Sequence, residues 1–136
     1  MKTIYGLLKG VTMNGNEYQK LANRTNDKKS SMRAVDWIVD RSYPDKGGII
    51  NGCLGLCGEA GEFSDMVKKW CFHEAELDED HAKKELGDVL WYVSLIAESF
   101  GWKLSEIMKM NIDKLKKRYP DGFNTYDSAH RQEGDL

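Results

Sequence analysis

Four carboxylates are the residues most able to do chemistry in this chain: Glu59 and Glu62 in one stretch, Glu85 and Asp88 in another. Each pair has i,i+3 spacing, which places its members on one side of a helix. The flanking apolar residues follow the three-and-four step of a packed helix. In the first stretch they are Ile49, Cys53, Leu56, Ala60, Phe63, Val67 and Trp70; in the second, Ala82, Leu86, Val89, Val93, Ile96 and Phe100. The acids immediately precede seam residues in both, so an antiparallel hairpin would bring all four to one side of the contact. Their heights agree as well, because Glu59 mirrors Asp88 and Glu62 mirrors Glu85 about a midpoint between His73 and Glu74. Four acids gathered beside a core repel one another unless a cation is present. An oxygen-only donor set suits a hard divalent ion, Mg²⁺ or Mn²⁺.

The elements that position these acids can be taken in chain order. Residues 1–13 read as an extension of undefined structure. Asn14 or Asn16 can cap a helix from Glu17 toward Asn26, and Ser30 or Ser31 a second through Val39. The turn-rich stretch Tyr43 to Gly48 leads into the first acidic helix. His73 to Glu79 is the expected hairpin turn, with Asp78 capping the second acidic helix, which stops near Gly101. A further helix begins about Leu104 and ends before Tyr119-Pro120-Asp121-Gly122. Phe123 is a candidate plug, and residues 125–136 read as a flexible tail. With no strand pattern of useful length, the expected fold is all-α: a bundle of four to five helices built on the acidic hairpin. Residues 14–124 would form its single domain.

Gly52, Gly55, Glu59, Glu62 and Met66 make one ridge on the first acidic helix. Glycine inside a helix costs roughly 1 kcal/mol against alanine, so either close helix packing or close approach of a ligand is implied. On the helix after Leu104, Asn111, Lys114 and Arg118 form a polar ridge. His73 and His81 read as turn or surface histidines. Cys53, Cys57 and Cys71 read as buried thiols, lacking the CxxC or Cys/His pattern of a metal site.

At 136 residues and 40% hydrophobic content, the chain can bury one ordinary core. A net charge of −2 gives no general attraction to nucleic acid or anionic membrane. No apolar run is long enough to span a bilayer. An odd cysteine count without a secretory signal points to the cytoplasm.

The words around the acids resemble the MazG-like all-α nucleoside triphosphate pyrophosphohydrolases. They are Gly55-Leu-Cys-Gly-Glu-Ala-Gly-Glu62, Glu85-Leu-Gly-Asp-Val-Leu-Trp-Tyr92, and Asn111-Ile-Asp-Lys-Leu115 leading to Arg118-Tyr-Pro-Asp-Gly-Phe123. With Glu17-Tyr18-Gln19, the resemblance covers about residues 14 to 124. It implies that Glu59, Glu62, Glu85 and Asp88 hold Mg²⁺, with Mn²⁺ as the other option. The implied reaction converts a nucleoside or deoxynucleoside triphosphate to monophosphate and pyrophosphate. It further implies that Asn111, Lys114, Arg118 and Tyr119 approach the triphosphate or sugar. Glu62 is the chosen general base. Family members assemble as helical oligomers, and Trp37, Trp70, Trp91 and Trp102 are apolar surface to cover, so a homodimer or homotetramer is expected. The competing reading is a catalytically silent helical oligomer that binds a nucleotide or protein partner around a structural ion. A di-iron bundle fits less well, since neither acidic motif is Glu-x-x-His.

Overall fold

The computed structural model describes residues 14–130 apart from Tyr43. Expectations for residues 1–13 and for 131–136 fall outside it. The described elements are α1 (Gly15–Ala22), a 3₁₀ turn (Asn23–Thr25), α2 (Ser30–Val39), α3 (Lys46–Phe72), α4 (Glu79–Phe100), α5 (Leu104–Arg118) and α6 (Thr125–Ala129). No strand occurs among the described residues, so the fold is all-α. Five of these helices are the expected set; α6 lies in the segment read from sequence as tail.

The described residues divide into two compact units, one ending at Asp40 and the other beginning at Arg41. In the first, α1 starts at a capping box: Asn14 Oδ1 accepts from the Glu17 backbone N–H, and Glu17 Oε2 accepts from that of Asn14, at 3.0 and 3.1 Å. The expected continuation to Asn26 tightens into the 3₁₀ turn, where the Asn23 side chain bonds back to the Gln19 carbonyl at 2.9 Å. Neither Ser30 nor Ser31 caps α2. Ser30 is already its first helical residue and the Lys29 side chain makes no cap bond. Asp27 organises this start instead, accepting from the Lys29 backbone N–H and from both terminal nitrogens of Arg33, at 3.0, 2.6 and 3.0 Å.

The second unit is built on the antiparallel pair α3 and α4, the only extensive helix–helix interface among the described residues. Asp45 caps α3 by accepting from the Gly48 backbone N–H at 2.8 Å, so the turn-rich stretch ends at Asp45 and Lys46 to Gly48 are helical. Asp78 caps α4 as expected, accepting from the His81 backbone N–H at 3.0 Å. Gly101 ends α4 in the left-handed region at φ 71°, where a side chain would be strained. Its N–H bonds to Glu98 O and that of Trp102 to Ala97 O, both at 2.9 Å.

The helix pairing has the expected register and keeps Ile49, Ala82 and Ile96 of the expected seam, but not the whole of it. Gly48 faces Ser99, Gly52 faces Ile96 and Gly55 faces Tyr92, pairs that mirror about His73 and Glu74. Ile49, Gly52, Ala82, Glu85 and Ala97 are buried, whereas Cys53, Ala60, Trp70 and Leu86 are exposed. Both helices are therefore turned about their own axes from the apolar-only reading. Glycine drives this, because a Cβ at Gly52 or Gly55 would strike Ile96 or the Tyr92 ring. Close packing is thus the reason for these two residues.

That rotation leaves Cys53, Cys57 and Cys71 exposed and free, contrary to the buried-thiol reading. Phe123 is no plug either: it is 72% exposed, with its ring 5.4 Å from that of Tyr119. Buried hydrophobic residues are few, while Leu54, Trp70, Leu90 and Trp91 present more than half of their surface to solvent.

Candidate functional site

Glu59, Glu85 and Asp88 each bring one carboxylate oxygen to a cluster in which all three lie within 4.8 Å of one another. The hairpin register sets their common height, and the rotated seam sets their depth. Glu85 is buried in the interface, Glu59 is half-buried and Asp88 is exposed at its margin. Glu62, three residues beyond Glu59 along α3, is exposed and outside the three-oxygen cluster. Thus the structure brings together three of the four predicted acids and leaves the fourth beside them.

The electrostatics fit a cation. Burial raises the pKa of Glu59 above its ordinary value, and the charges of Glu62, Asp88 and Glu85 raise it further. A hydrogen bond between Glu59 and Glu85 also favours the protonated Glu59 carboxyl. A divalent ion would replace this repulsion with attraction, and the all-oxygen donor set suits Mg²⁺ or Mn²⁺. The residues present therefore fit such an ion.

His81, read from sequence as an ordinary surface histidine, touches this cluster. Its Nε2 lies 2.7 Å from Glu85 Oε1, one helical turn away on α4. The i,i+4 spacing is the signal in the sequence, but the apolar pattern does not mark Glu85 as an interface residue. Lys68 and Lys69 bond instead to Asp65, holding its carboxyl down at about 2. Lys68, Lys69, Lys83 and Lys84 are all exposed.

Asn111, Lys114 and Arg118 lie along one side of α5 by their spacing, followed by Tyr119 at its C-terminal cap. The Arg118 guanidinium carbon is 6.0 Å from the Tyr119 ring centroid. Arg118 and Tyr119 are half-buried, and Asn111 and Lys114 exposed. The α5 helix makes no extensive contact with α3 or α4, so the ridge is not packed onto the carboxylates.

Fold and site together define an all-α protein with a cluster of carboxylates carried by paired helices. The MazG nucleotide pyrophosphohydrolase domain matches residues 52–123, spanning α3, α4 and α5, and the chain belongs to that family. A similar protein is "Gene 37 protein" of Mycobacterium phage L5, 37% identical over 73 residues, or 51% of this chain and 64% of the relative. The match thus covers less than two thirds of the relative's length. No solved structure matches the chain. Among the described residues no helix is long and apolar enough to cross a membrane.

Proposed function

We propose that the protein is a Mg²⁺-dependent nucleotide pyrophosphohydrolase, converting a (d)NTP to (d)NMP and pyrophosphate. The convergence of Glu59, Glu85 and Asp88 within a MazG domain carries this reading. The bound ion, Mg²⁺ or Mn²⁺, would neutralise phosphate charge and acidify water. Glu59, Glu85 and Asp88 would hold it, each offering an oxygen. Glu62, whose charge raises Glu59 and which lies outside the three-oxygen set, would accept a proton. In the reaction, a water oxygen bonds to the α phosphorus, the bond from that phosphorus to the α,β-bridging oxygen breaks, and Glu62 takes the water's proton. Lys114 and Arg118 stabilise charge growing on departing pyrophosphate, while Asn111 and Tyr119 contact the sugar or triphosphate.

A homodimer or homotetramer is part of the same reading. Exposure of Leu54, Trp70, Leu90 and Trp91 on the hairpin supports it, since apolar surface of this extent favours a partner. Three free cysteines support a reducing, cytoplasmic setting.

The test is incubation of the purified protein with each common NTP and dNTP plus Mg²⁺. Pyrophosphate and the matching monophosphate are expected for at least one nucleotide. Orthophosphate alone, or no product from any of them, would overturn the enzymatic reading in favour of a silent binder.

A further inference from the structure

We infer that His81 is a positioning residue for the metal ligand Glu85, an inference that rests on the proposed metal-dependent function. Glu85 is the most deeply placed acid of the cluster, with 10% of its side chain exposed, whereas the His81 side chain is 55% exposed. One face of the imidazole is therefore in water while Nε2 reaches 2.7 Å from Glu85 Oε1. An Nε2–H in that position donates to the carboxylate. A carboxylate otherwise rotates readily about its terminal torsion, and a donor on one oxygen fixes its plane.

The direction of this restraint matters. Glu85 also offers an oxygen within 4.8 Å of those of Glu59 and Asp88. The carboxylate has lone pairs for both the imidazole and a cation, so the two uses are compatible. The bond to His81 holds Glu85 in place without consuming its capacity as a ligand. Ligands held by outer hydrogen bonds of this kind lose roughly 10–100-fold in metal affinity when the supporting group is removed. Backbone geometry secures the supporter itself: Asp78 accepts from the His81 backbone N–H at 3.0 Å and fixes the first turn of α4 from which the ring projects.

The alternative is an ordinary i,i+4 surface pair that stabilises α4 slightly and does nothing for the ion. Metal binding separates the two. Full-length protein, without nucleotide, is titrated with Mn²⁺ and the free ion followed by its paramagnetic resonance signal. His81→Ala and His81→Phe, which remove the donor, should weaken Mn²⁺ binding by about 10-fold or more. His81→Gln, whose amide N–H can donate to the same oxygen, should recover most of the affinity. Circular dichroism of the metal-free variants should match the parent. If His81→Ala does not fold, the Phe and Gln variants decide the question, since both fill the position and only one donates.

Parental affinity in the Ala and Phe variants would overturn the positioning role and leave the function proposal intact. A parent protein that binds no Mn²⁺ would instead overturn the metal reading, and this inference with it.

Discussion

Gly55 of α3 lies directly against the ring of Tyr92 on α4, with no room between them for a Cβ. This contact stands four residues before Glu59 and four after Asp88, so the spacing of the two helices at the carboxylates depends on it. Gly55→Ala should push the Tyr92 ring aside. Overpacking costs about 1–3 kcal/mol, partly offset by the roughly 1 kcal/mol of helix propensity gained. The expected net is a loss of about 1 kcal/mol in urea unfolding. Gly58→Ala is the contrast, having no atom within 4 Å of its Cβ position. It should stabilise the protein by up to about 1 kcal/mol.

Removing charge from Glu59 should stabilise the metal-free protein at neutral pH. Its folded pKa lies above the ordinary 4.5, chiefly through burial and then through Glu62, Asp88 and Glu85. The folded state therefore holds the proton more tightly than the unfolded state. The associated stability is fully present below the unfolded value and is lost as pH rises through the raised folded value. Melting temperatures of metal-free protein across this range should fall with pH in the parent and be flatter in Glu59→Gln. Saturating Mg²⁺ should raise the parent's melting temperature at neutral pH and the variant's less.

Asp65 predicts the opposite slope. Hydrogen bonds from Lys68 and Lys69 hold its carboxyl at about 2, below the ordinary 3.8. Its stabilising contribution is present above the unfolded value and is lost as pH falls toward the lowered folded value. Asp65→Asn should remove this component from an acid titration followed by circular dichroism. Because the pair is exposed, added salt should shrink the difference.

Glu62→Gln should separate proton transfer from metal holding. Loss of a general base costs typically 10²–10⁴-fold in rate. Turnover should fall by about that factor, while Mn²⁺ affinity falls far less than in Glu85→Gln. Equal loss of Mn²⁺ binding in Glu62→Gln and Glu85→Gln would make Glu62 a ligand and remove it from the role of base.

Much of this molecule was legible in its residues. Hydropathic periodicity marked the helices, Asp78 and Gly101 bounded α4, and the polar turn around His73 and Glu74 determined which heights of α3 and α4 meet. Register followed from connectivity, because a short turn between antiparallel helices pairs residues equidistant from it. Oxygen donors were expected at that shared height, and three of the four acids meet there.

Only the tertiary structure decided how each helix is turned about its axis. Hydropathy registers the side chains that are present, and glycine has none, so the apolar pattern placed Cys53 and Ala60 on the seam. Close packing favours the positions with least bulk, which brought Gly52 and Gly55 against α4 and carried Glu59 inward with them. The same packing buries Glu85 beside His81 and leaves Cys53, Cys57 and Cys71 in solvent, while Glu62 stays outside the cluster. Spacing along the chain determined that the acids would meet; steric fit between two helices determined which of them do.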